Sequence, residues 1–139
     1  MSLAEVREVQ MRWEDIDALG HVNHALAFTY FEEARDAFLA ARGISRDEYV
    51  VGRCEVWWKR ELTPGHPAVT VETSVSELGT SSMTTLERIF DADGNVAVEG
   101  EFGLVLWDPE ARVARPITDA ERQALTSSGA LLPEEVPPT

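Results

Sequence analysis

Apolar positions in this chain change their period as the sequence runs from its first third into its second. Ala27, Tyr30, Phe31, Ala34, Phe38 and Ala41 recur at helical spacing, while Glu32, Glu33, Arg35 and Asp36 project elsewhere. This predicts one long helix, which Asn23 can cap at its start and Gly43 can end. Ala27, Ala34 and Ala41 are small and seven apart, which suits a helix lying close against a curved surface. Ahead of it, residues 3–11 read as a short edge strand. Residues 12–23 hold no sustained period and contain a glycine, as a structured loop does.

From Val50 onward the period is two. Cys54, Val56, Trp58 and Leu62 share one face, with Arg53, Glu55, Lys59 and Glu61 opposite and Arg60 breaking the pattern. Thr63-Pro64-Gly65 turns the chain, Val69, Val71 and Val75 mark a further strand, and Leu78-Gly79-Thr80-Ser81 turns it again. Residues 82–90 and 95–107 then read as a hairpin around Asp91-Ala92-Asp93-Gly94-Asn95, with Val96, Val98, Phe102, Leu104 and Leu106 on one face. Pro116 ends the run, and Thr118 can cap a short helix reaching Leu125. Strand, long helix and four hairpin-linked strands make an α+β domain with the helix against an antiparallel sheet. One helix covers one sheet face. Trp57 and Val105 fall on the other register, so self-association into a homodimer or homotetramer is expected.

The chain has 139 residues, 44% of them hydrophobic, which supplies one core and one domain spanning residues 1–139, with the proline-bearing stretch 128–139 read as a mobile tail. Twenty-five acidic residues against 12 basic ones leave a net charge of −13, which disfavours nucleic acids and anionic membranes as partners. A single cysteine, Cys54, rules out an internal disulfide and a cysteine-based zinc cluster, and its place on the apolar register puts it in the core. The sequence shows no basic leader and no apolar run of about 18 residues, so a soluble cytoplasmic protein is expected.

Chemistry concentrates at the junction of loop and helix, where Asp15, Asp17, His21, Asn23 and His24 fall together. First-turn amides of a helix lack intrahelical acceptors and carry partial positive charge, so they can hold an oxyanion. A carboxylate beside them can attack the polarised carbon or activate water to do so. Other readings fit the same residues. An aspartate ahead of a helix is commonly a cap, the histidines can be surface residues, and His21 and His24 with a carboxylate can ligate a metal, although no clear third-ligand motif accompanies them. No Gly-x-Ser-x-Gly elbow and no glycine-rich phosphate loop occurs.

Asp15-Ile16-Asp17-Ala18-Leu19-Gly20-His21-Val22-Asn23-His24, followed by Phe28-Thr29-Tyr30-Phe31-Glu32-Glu33-Ala34-Arg35, resembles the signature of the 4-hydroxybenzoyl-CoA thioesterase-like family. The resemblance extends over about residues 5–125. It implies the hot-dog fold, an antiparallel β-sheet wrapped around one long central helix. It also implies an acyl-CoA thioesterase with no cofactor, coenzyme A being part of the substrate, and no metal. Asp17 matches the catalytic carboxylate, as nucleophile or general base. His24 stands where some members carry an assisting histidine, and its amide matches the donor that polarises the thioester carbonyl. Gly20 permits the tight loop approach, and Asn23 caps the helix or orients the loop. Glu33 and Arg35 match structural positions, read as an ion pair.

Trp13 stands where several relatives have tyrosine, and Ala27 replaces a usual aromatic, which reshapes the acyl pocket. The acyl group and its carrier, CoA or an acyl-carrier protein, stay open. So do a hot-dog dehydratase or hydratase acting on acyl thioesters, and a non-catalytic acyl-CoA or acyl-carrier-protein binding module. The phosphates of CoA need cations on an acidic surface. Lys59 and Arg60, with Arg53 and Arg88, form the internal basic cluster expected to lie near them.

Overall fold

The computed structural model describes residues 4–11, 24–62 and 68–127. Strand β1 (Glu5–Gln10) is followed by helix α1 (Leu26–Ala40), then by β2 (Tyr49–Trp58), β3 (Ala68–Leu78), β4 (Ser82–Phe90) and β5 (Val96–Asp108). The short β6 (Val113–Ala114) and helix α2 (Asp119–Ser127) close the order. The strands pair antiparallel in the order β1-β3-β4-β5-β2, with β6 on β5. Helix α1 lies mainly over β1, β3 and β4, which makes the hot-dog arrangement expected from the signature.

Alternation along the strands builds the core. Val69, Val71, Thr73 and Val75 of β3, Met83, Thr85, Glu87 and Ile89 of β4, and Val98, Phe102, Leu104 and Leu106 of β5 are all buried. Register shifts at Val51/Arg53, Val75/Glu77 and Ile89/Phe90 bend the sheet around the helix. The last of these corrects one expectation: the shift buries Ala97 and leaves Val96 half exposed instead of in line with Val98.

Ala27, Tyr30, Phe31, Ala34 and Phe38 of α1 face the sheet as expected, but Ala41 is exposed and the buried residue beside it is Arg42. The Arg42 guanidinium lies 3.7 Å over the Phe38 ring and donates to Glu5 of β1 at 2.9 Å. Gly100 makes room for an edge-on Phe31–Phe102 pair, since a Cβ there would meet Phe102 at 2.6 Å. The N-cap position is Ala25, without a side-chain bond, so the helix starts two residues beyond Asn23, which lies outside the described residues. At the other end Gly43 adopts φ +86°, its N–H donating to Ala40 and that of Ile44 to Leu39, the paired bonds of a Schellman closure. Helix α2 begins with reciprocal bonds between Thr118 and Glu121. Burial pushes the Glu121 carboxyl up, but the bonds from Arg115 and Thr118 outweigh it and hold the group below its ordinary value.

Arg35, expected on the polar side and beside Glu33, is instead buried. It makes a bidentate pair with Glu87 of β4 at 2.9 Å on both arms, and its guanidinium sits 4.2 Å over the Phe102 ring. Thr85 adds a 2.5 Å bond to the same carboxylate. Burial pushes the Glu87 carboxyl up, against the pull of Arg35 and Thr85. Tyr49, at the start of β2, donates to Asp36 at 2.6 Å and so ties that strand to the helix. A buried guanidinium left without its carboxylate is strongly destabilising. Glu87→Gln is therefore expected to lower unfolding stability by about 3–5 kcal/mol. Arg35→Met/Glu87→Leu is expected to recover much of that loss, with urea denaturation curves as the measurement.

Candidate active site at the start of helix α1

Of the residues singled out in the sequence, Asp15, Asp17, Gly20, His21 and Asn23 lie outside the described residues, as does the Thr63-Pro64-Gly65 turn. His24 is described. It is exposed at the mouth of α1, its carbonyl accepting the Ala27 N–H at 3.2 Å while the Ala25 carbonyl accepts that of Phe28 at 3.3 Å. Among the described residues nothing accepts from the His24 N–H. The first turn of α1 holds no acidic residue, so no carboxylate there offsets the positive end of the helix dipole.

The last residue of β2 closes on this junction. The Trp58 ring stacks on the His24 imidazole with centroids 5.3 Å apart and planes 27° apart, and its indole N–H donates to the His24 carbonyl at 3.3 Å. Phe28 meets the same indole edge-on at 6.0 Å. The N–H groups of Lys59 and Arg60 both reach the Ala97 carbonyl, at 2.7 and 3.0 Å, so the strand end that carries Trp58 is pinned. Sequence reasoning missed this contact. The apolar register places Trp58 in the core, but it is 38% exposed. The signal was present in the apolar register of Trp58, but distance in sequence from His24 hid it.

Cys54 is exposed instead of in the core. It shares the inner face with Val56 and Trp58, opposite Phe102, Gly100 and Val98, but α1 is displaced toward the β1 side and leaves that part of β2 open. On the outer face the basic cluster is largely matched by carboxylates. Arg53 pairs with Glu101 at 3.0 Å, Lys59 with Glu99 at 3.3 Å, and Arg88 with both Glu99 and Glu72. The bond from Arg88 comes first among those that hold the Glu99 carboxyl below its ordinary value. Arg60 is exposed, and among the described residues no carboxylate pairs with it.

Two of the hollows among the described residues lie at the ends of the sheet. One of about 370 Å³ runs between α1 and the start of β2, lined by Glu32, Asp36, Arg46, Asp47 and Tyr49 among others. The other, of about 200 Å³, lies where Met11, Leu62 and the β4–β5 hairpin meet, and its carboxylate, Asp91, accepts the amides of Asp93 and Asn95. Among the described residues there is no group of three or more potential metal-ligating side chains, and no helix is long and apolar enough to cross a membrane.

The sequence pattern of the Thioesterase-like superfamily matches residues 11–136. The chain belongs to that superfamily. Its reaction class is thioester hydrolysis. A thioesterase of Thermus thermophilus, solved with coenzyme A and zinc, is 30% identical, with 91% of this chain and 93% of that one covered at a TM-score of 0.78. A protein of Bacillus stearothermophilus described as a predicted thioesterase is 25% identical, covers 94% of this chain and 98% of its own, and superposes with a TM-score of 0.81. The uncharacterized protein YsmA of Bacillus subtilis (strain 168) is 24% identical over 128 residues, 89% of this chain and 86% of the relative.

Proposed function

We propose that this protein hydrolyses an acyl-CoA thioester to a carboxylic acid and free CoA, with the reacting carbonyl at the start of α1. The observation that carries this reading is a superfamily match whose span, residues 11–136, includes the segment from Asp17 to His24, the last of these an exposed histidine at a helix mouth. The CoA bound to the Thermus relative supports CoA as the carrier. In this reading the thioester oxygen lies near the His24 amide, and the Asp17 carboxylate attacks the carbonyl carbon or draws a proton from the attacking water. Sulfur departs with the electron pair of the C–S bond and takes up the proton given by the attacking water; where Asp17 itself attacks, water then cleaves the acyl–aspartyl anhydride, frees the carboxylic acid and restores the carboxylate. Gly20 and Asn23 shape the loop that brings Asp17 to the carbonyl. Stabilisation of the oxyanion by aimed amides contributes most, on the order of a few kcal/mol per donor.

Among the cations of the basic cluster, Arg60 is the one best placed for a phosphate, because Lys59, Arg53 and Arg88 already face carboxylates. The protein works as a homodimer paired along β2. That strand is a sheet edge with Val50, Val51, Trp57 and Trp58 exposed. About a two-fold axis at Cys54, Arg53 of each protomer stands opposite Glu55 of its partner. Glu55 lies opposite the like-charged Glu101, which shares its own protomer's Arg53, and the partner's Arg53 supplies a second cation to that pair of carboxylates.

Asp17→Asn and Asp17→Ala are expected to fold normally and to lose about 10²- to 10⁴-fold in thiol release across a panel of acyl-CoAs. Wild-type turnover by both removes Asp17 from the reaction. Arg60→Ala is expected to raise KM for the CoA thioester about fivefold, and Lys59→Ala by less than about twofold, because the Lys59 charge is already partnered. In sedimentation equilibrium, Arg53→Glu is expected to weaken dimerisation about tenfold and Arg53→Glu/Glu55→Arg to restore it. A monomeric wild type at micromolar concentration contradicts the pairing.

A further inference from the structure

We infer that Trp58 is a positioning residue for the reaction, acting through His24; this rests on the hydrolytic reading above. Two independent contacts join the same two residues. The indole face lies on the imidazole, which fixes the side-chain rotamer, and the indole N–H holds the His24 carbonyl, which fixes the peptide that opens the helix. An exposed histidine without such contacts samples several staggered rotamers. Here the ring is held against a strand end that is itself anchored by two amides on the Ala97 carbonyl. Phe28, in the first turn of α1, meets the indole edge-on and restrains its rotation. The imidazole and the His24–Ala25 peptide are therefore held by β2, an element remote in sequence from the start of α1. Loss of the indole frees both while leaving the groups themselves intact, and small displacements of reacting groups carry large rate penalties.

The test is a mutant cycle on the full-length protein, using thiol release from the best acyl-CoA of the panel. Trp58→Leu is expected to lower kcat about tenfold with KM within about twofold. Trp58→Phe keeps a stacking ring and is expected to recover most of that loss, which also guards against a leucine variant that folds poorly. In a His24→Gln background, Trp58→Leu is expected to have a clearly smaller effect, because the imidazole contact is gone and only the bond to the backbone carbonyl of residue 24 is left to lose. A second readout does not depend on activity. The chain has 3 histidines, so the imidazole proton resonances that vanish in His24→Gln identify His24, and Trp58→Leu is expected to shift them by removing the indole ring current. Equal loss of kcat from Trp58→Leu in both backgrounds, a change confined to KM, or His24 resonances that do not move would each overturn the role of Trp58. Full activity of His24→Gln instead overturns the reading of His24 on which that role rests.

Discussion

The ion pair between Arg35 and Glu87 is the constraint on which the rest of this molecule depends. Glu87 lies on β4, the middle strand of the order β1-β3-β4-β5-β2, and Arg35 lies on the face of α1 that meets it. Both side chains are almost wholly buried. Taking two charges out of water is costly, and only a bidentate geometry with further support offsets that cost. Thr85 and the Phe102 ring supply the support. Apolar contacts alone would let the helix slide or roll by a fraction of a turn. A forked hydrogen bond does not. It fixes both the rotation of α1 and its height over the sheet, and the mouth of the helix, about 16 Å away along the axis, is fixed with it.

That placement leaves one side of the sheet uncovered. Because α1 sits toward β1, β3 and β4, the inner face of β2 is open, and the helix mouth with His24 borders the opening. The tether from Tyr49 to Asp36 holds the start of β2, and Trp58 holds its end to the helix. Between them lies the stretch with Val51 and Cys54, apolar in composition and exposed. The same displacement thus leaves both the His24 mouth of the helix and the apolar stretch of β2 exposed.

The sequence made the elements plain wherever a period ran uninterrupted. The Tyr30–Phe31–Phe38 stripe, the alternation from Val69 to Leu106 and the Thr118 cap needed only local spacing to be read. The signature around Asp17 and His24 indicated fold and reaction class together. What escaped was decided by tertiary placement. Cys54 obeys the inner register of its strand, yet burial depends on where the helix lies. Arg35 reads as polar until a buried carboxylate from β4 is set against it. Lys59 and Arg88 look like free cations in one dimension, whereas cross-strand neighbours Glu99 and Glu72 match their charge. Ala97 enters the core because a bulge inserts one residue, and a two-residue period has no means of announcing a bulge.

The two borders of the sheet are unlike each other. The β1 border is only six residues long and exposes Arg7, Glu8 and Gln10 beside a single valine, Val6, whereas the β2 border is ten residues long and exposes Val50, Val51, Trp57 and Trp58 around Arg53 and Glu55. A protein whose borders were both sticky would stack head to tail without limit, each newcomer offering a fresh seam, and would end as a filament. With one receptive border and one guarded mainly by charge, the pairing proposed along β2 would use up the receptive border of each copy, and growth would stop there.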